Sequence, residues 1–103
     1  MIFIETPTFT RMVTALLTDK EYRELQVTLA TDPERGALIQ GGGGIRKIRC
    51  AMEGTGKSGG IRVIYYWLRD DQQILMLVAY PKSQKDTLTA KEVAILRALV
   101  KEL

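Results

Sequence analysis

Arg46, Lys47 and Arg49 fall within four residues, and Arg62 follows a glycine-rich stretch that carries Lys57. Cations grouped this way neutralise phosphates and hold a nucleic acid in register without reading its bases. If the two stretches are paired strands, these cations converge near one end of a sheet. Lys82 and Lys85, just after Tyr80, would close the other side. Tyr66 or Tyr80 would offer a ring on which an unpaired base stacks. The competing reading is an ordinary solvated basic face on an antiparallel sheet.

Two other patterns lead elsewhere. Ala51-Met52-Glu53-Gly54-Thr55-Gly56-Lys57-Ser58 satisfies a relaxed P-loop, with alanine in place of the first glycine. A working P-loop needs a strand before it and a helix after it, so that the helix N-terminus meets the phosphates. Here Ile61 to Leu68 follows, a β-branched and aromatic run that predicts a strand. Glu53 is the one carboxylate near the cations, and a loop glutamate is its simplest description. Cys50 is the only cysteine and there is no histidine, so neither an internal disulfide nor a usual zinc site can be assembled. We therefore expect no metal and no cofactor. A lone cysteine fits a reducing cytosol.

The net charge of +3 is unevenly placed. Residues 1–35 carry four basic and six acidic side chains, residues 36–68 five and one, and residues 69–103 six and five. The excess lies in the middle third, and a local patch sets the potential that a polyanion meets. No apolar run approaches the roughly 20 residues that span a bilayer. The first ten residues lack the charged segment and long apolar stretch of a secretory signal.

At 103 residues the chain has single-domain length, and we expect one domain over 1–103. Residues 2–5 predict a short strand. Phe9, Met12, Val13, Leu16 and Leu17 have helical spacing. Thr18 to Glu21 is a capping box that starts a second helix, ended by Asp32-Pro33 with Gly36 at the turn. After Gly41 to Gly44 come strands near 45–52, 61–68 and 73–80. Thr89 to Glu92 is another capping box, opening a last helix with Val93, Leu96, Val100 and Leu103 on one face. In the 61–68 strand, Ile61, Val63, Tyr65 and Trp67 alternate with Arg62, Ile64, Tyr66 and Leu68. Both sets hold large apolar groups, so periodicity does not decide which one is core. The expected class is α+β, ordered β-α-α-β-β-β-α, with a small, mainly antiparallel sheet and helices packed on one face.

That order resembles the RelE/HigB toxins of bacterial type II toxin–antitoxin systems. So do Asp32-Pro33 followed by Gly36, the run Gly43-Gly44-Ile45-Arg46-Lys47-Ile48-Arg49, and Gly59-Gly60-Ile61-Arg62-Val63-Ile64-Tyr65-Tyr66. The strand Leu75 to Tyr80 with Lys82 continues the match, which covers nearly the whole chain and looks closest to the HigB branch.

The resemblance implies a ribosome-dependent mRNA endonuclease that enters the ribosomal A site. There the ribose 2′-OH attacks the adjacent phosphate and leaves a 2′,3′-cyclic phosphate. Carried over by position, Lys47 and Arg49 match the family's basic pair, Arg62 its arginine on the next strand, and Lys82 a basic residue after the last strand. Arg62 is the best candidate to hold the phosphate, because guanidinium pairs with it bidentately. Lys47 is expected to orient or deprotonate the 2′-OH. Relatives often carry a tyrosine, histidine or further arginine after the last strand. Here Lys82 to Leu88 contains no aromatic residue, leaving Tyr80 or Lys82 to protonate the leaving group. Arg46, Lys57, Tyr66 and Lys85 complete the expected RNA contacts.

The implied partners are the 70S ribosome with its mRNA and a helix-turn-helix, HigA-like antitoxin, with no membrane. The implied location is the cytoplasm. The alternative is a RelE-like module that grips RNA or an antitoxin without cleaving.

Overall fold

The computed structural model describes residues 1–51 and 60–103. The elements are β1 (Ile2–Glu5), α1 (Pro7–Leu16), α2 (Asp19–Thr31), β2 (Ala37–Leu38), β3 (Arg46–Cys50), β4 (Ile61–Leu68), β5 (Gln73–Pro81) and α3 (Ala90–Lys101). They form one five-stranded sheet in the order β1-β5-β4-β3-β2. All neighbours are antiparallel except β1, which runs parallel to β5. The α+β class and the element order agree with expectation, apart from the two-residue β2. No periodicity signals a strand so short.

Each helix begins on a threonine whose hydroxyl accepts a backbone N–H. Thr6 accepts from Phe9, with Pro7 at the first helical position. Thr18 and Thr89 each form the full capping box, with Glu21 and Glu92 reaching back. These bonds satisfy donors that a helix start would otherwise leave unpaired.

The two residue sets of β4 are both core. Ile61, Val63 and Tyr65 pack with Phe9, Val13 and Leu17 of the α1 region and with Leu25 and Leu29 of α2. Ile64 on the opposite face packs with Leu77, Leu96 and Val100, so α3 covers that side. Helices on one face was therefore incorrect for α3. An antiparallel sheet can leave one face to solvent, but the apolar residues of β4 and β5 on both faces require cover on both. Among the described residues no helix is long and apolar enough to cross a membrane.

Tyr65 ties the sheet to the turn after α2. Its buried hydroxyl accepts from Gly36 N–H and donates to Pro33 C=O, both at 2.8 Å. A Cβ at Gly36 would stand 2.8 Å from the Tyr65 ring, so only glycine fits this approach. This contact accounts for the Asp32-Pro33 to Gly36 spacing noted in the sequence.

Candidate functional site

The site is built where β3, β4 and β5 run side by side. In the register Arg49 faces Arg62, and Arg62 faces Tyr80. Directly paired residues project to the same side of a sheet, so Arg49, Arg62 and Tyr80 form one row on the α3 face. Lys47, two residues before Arg49, shares that face about 7 Å along the strand. Gly60 sets the start of β4. Its φ of 91° is left-handed, and a Cβ there would lie 2.5 Å from the Cys50 carbonyl. Its own carbonyl accepts from Lys82 N–H at 3.1 Å. The glycine thus brings β3, the row's central arginine and the segment after β5 close together.

Arg62 is 3% exposed, the one buried charged residue among those described. Its Nε and Nη2 donate to Asp86 Oδ1 at 3.1 and 3.0 Å. A buried guanidinium needs such a partner, since removing it would leave an uncompensated charge. Nη1 is also buried, yet has no hydrogen-bond partner among the described residues. The Tyr80 hydroxyl is in the same state. Orphaned polar atoms are uncommon in folded proteins and carry a desolvation cost. Burial pushes the Tyr80 phenol above its ordinary value of 10.0, with the Arg62 charge pulling the other way, so the ring keeps its proton at neutral pH. Lys47 Nζ donates to the Asp86 carbonyl at 3.3 Å. Lys85 Nζ stands 5.2 Å from the Tyr80 ring centroid and pairs with Glu92.

The structure thus brings together Arg62, Lys47, Arg49 and Tyr80, with Lys82 and Lys85 on the adjoining segment. Two other sequence candidates lie apart. Arg46 pairs with Tyr65 and projects to the opposite face. There its Nη1 donates to the carbonyls of Gly36 at 2.8 Å and Glu34 at 3.1 Å. Tyr66 is on the α3 face but four residues along β4 from Arg62, about 13 Å away, in a groove shared with Arg46, Gly44 and Arg69. Lys57, Glu53 and the P-loop-like stretch from Met52 onward lie outside the described residues. The element that follows that stretch is a strand, β4, so the helix a P-loop requires is not what comes next.

Asp86 is the residue that sequence reasoning passed over. It is an acid in a loop of lysines, 24 positions from its partner. No periodic or motif signal couples such a loop residue to a strand. A groove of about 880 Å³ runs between β2 and α3. Lys47, Arg97 and Lys101 line it together with apolar residues and no carboxylate.

Fold and row together define a small α+β protein that presents a buried arginine, flanked by further cations, at the end of an antiparallel sheet. Residues 4–103 match the family described as the RelE toxin of the RelE / RelB toxin–antitoxin system, and the chain belongs to that family. Among solved structures it is similar to the intact E. coli RelBE toxin–antitoxin complex, with a TM-score of 0.59 and 15% identity. The match covers 76% of this chain and 92% of that one. At this identity the likeness speaks for the fold alone.

Proposed function

We propose that this chain is a toxin that inhibits translation by cutting mRNA in the ribosomal A site, with Arg62 as the phosphate-binding group. The observation that carries the reading is the pair of buried polar groups without a hydrogen-bond partner among the described residues, Arg62 Nη1 and the Tyr80 hydroxyl, on residues facing one another across β4 and β5. A phosphate offers acceptors for both. Membership of the RelE family supports the same chemistry.

In this reading the ribose 2′-oxygen attacks phosphorus and the bond from phosphorus to the 5′-oxygen breaks. A 2′,3′-cyclic phosphate and a 5′-hydroxyl result. Arg62 and Arg49 stabilise the charge that builds on the phosphoryl oxygens, where fixed donors act most strongly. Lys47 orients the 2′-OH and acts as the base that takes its proton. Tyr80, kept protonated by burial, gives a proton to the departing 5′-oxygen. Lys82 and Lys85 hold the flanking backbone. With no histidine in the chain, the intrinsic acid–base power is modest, and the ribosome supplies positioning that such a site lacks.

The partners proposed are the 70S ribosome, its mRNA and an antitoxin, with a HigA-like helix-turn-helix protein as the particular form. The place of action is the cytoplasm. Incubation of the purified protein with programmed ribosomes, followed by mapping of mRNA ends, tests this. Cleavage within the A-site codon that leaves cyclic phosphate, and that Arg62→Ala suppresses, is the expected result. Intact mRNA on those ribosomes would overturn it and favour a binding module instead.

A further inference from the structure

We propose that Asp86 decides which RNA this site accepts. In the free protein its carboxylate occupies the phosphate position on Arg62, and only an RNA held against the site by other contacts displaces it. The inference rests on the nuclease reading above and gives it a cause within the chain: loose RNA is refused, and RNA fixed by the ribosome is admitted.

The geometry is that of a stand-in anion. Asp86 Oδ1 takes the Nε and Nη2 edge of the guanidinium, an edge that a phosphate would use bidentately. The Asp86 carbonyl takes Lys47 Nζ, so two of the three basic residues assigned to the reacting ribose-phosphate, Arg62 and Lys47, are committed to one residue. Arg62 is 3% exposed, whereas the Asp86 side chain is 61% exposed. The acid is therefore the outer member of the pair, and a phosphate from solvent meets it before the guanidinium. Arg49 faces Arg62 directly. Two cations in that relation repel, which favours an anion between strand and loop in every state of the protein.

The segment is also built to yield. Its start is held by the Lys82 to Gly60 and Gln84 to Pro81 backbone bonds. Its end is held by buried Leu88 and the Thr89 capping box. Between these anchors Asp86 and Thr87 are exposed. Asp86 can leave Arg62 for water without unseating either end. A tethered carboxylate competes at an effective concentration on the order of millimolar. One loose phosphate contact does not overcome that, and an RNA already immobilised at many points does.

The test uses a short RNA with 2′-O-methyl riboses, which binds without being cut. Affinity is measured by fluorescence anisotropy for the whole protein and for Asp86→Asn, each with Arg62 and with Arg62→Gln. Asp86→Asn should tighten binding about 10-fold when Arg62 is present and have little effect in the Arg62→Gln background. An equal gain in both backgrounds would mean a change of overall charge only, and overturns the proposal. Weaker binding in Asp86→Asn would make Asp86 a positioning residue for Arg62, and also overturns it. Circular dichroism checks folding, with Asp86→Ser as the second variant should the first fail to fold. Cleavage of ribosome-bound mRNA is followed in parallel on the unaltered protein. Absence of cleavage there strikes the nuclease reading, while the anisotropy cycle still decides the role of Asp86.

Discussion

Arg49 and Arg62 face one another across β3 and β4, two guanidinium-bearing residues in direct register on one face of the sheet. Like charges so placed destabilise a strand pair. The second of them is buried and holds Asp86 as counter-ion. The arrangement costs stability that an apolar pair would not, and a polyanion is the ligand that would relieve it.

Replacing Arg62 should separate stability from activity. Arg62→Met removes a buried cation, and its counter-ion Asp86 is exposed and can hydrate, so no buried charge is left uncompensated. Thermal melts should show a stability unchanged or higher by about 1 kcal/mol. Cleavage on ribosomes should fall by roughly 10²-fold or more. Arg62→Lys should recover little of it, because a point charge cannot reproduce the bidentate fork.

Tyr80→Phe removes a hydroxyl that is buried and has no partner among the described residues. Loss of an unsatisfied polar group is close to neutral, so urea denaturation should move by less than about 0.5 kcal/mol. As general acid, the same hydroxyl should be worth roughly 10² to 10⁴ in cleavage rate. Burial raises its pKa, so the proton it donates is retained up to and beyond pH 10.0. A raised folded value stabilises fully below the unfolded value and is lost as pH rises through the folded one. A rate that declines between pH 7 and 9 and keeps that decline in Tyr80→Phe would point to a different group.

Arg46 should behave as a structural residue despite its place in the basic run. Arg46→Ala leaves the Gly36 and Glu34 carbonyls without their donor, at a cost of about 1–3 kcal/mol in chemical denaturation. Its effect on RNA affinity should be smaller than that of Lys47→Ala or Arg49→Ala in the same anisotropy assay. A larger effect would place RNA on the α2 side of the sheet.

The Lys85–Glu92 pair gives an acid-side test. The hydrogen bond from Lys85, followed by that from Thr89 N–H, holds the Glu92 carboxyl below its ordinary value of 4.5. A depressed folded value contributes stability above the unfolded value, and that contribution disappears as pH falls through the folded one. Lys85→Met should therefore lower stability at pH 7 by less than about 1 kcal/mol, since the pair is near the surface. At pH 3 the two proteins should melt more nearly together.

Local signals carried the elements. Capping boxes at Thr18 and Thr89 set two helix starts, a β-branched and aromatic run set β4 and an apolar run set β5, because these preferences act within one or two turns of chain. The Gly36 spacing and the cation run were also visible, although the reason for Gly36, its contact with Tyr65, was not. Alternation in β4 left open which residues are core. The answer was both sets, since α1 and α2 cover one face and α3 the other.

The amino-acid sequence by itself determined the α+β class, two of the three helix starts and the concentration of positive charge in the middle third, for each is a property of neighbouring residues. The tertiary structure alone decided which charges act together. A strand alternates faces, so Arg46 turned away from its neighbours Lys47 and Arg49. A loop can fold back over any distance in sequence, so Asp86 arrived on Arg62 from 24 residues away. Whether a cation meets an anion is a matter of a few ångströms in space, and spacing along the chain does not encode it.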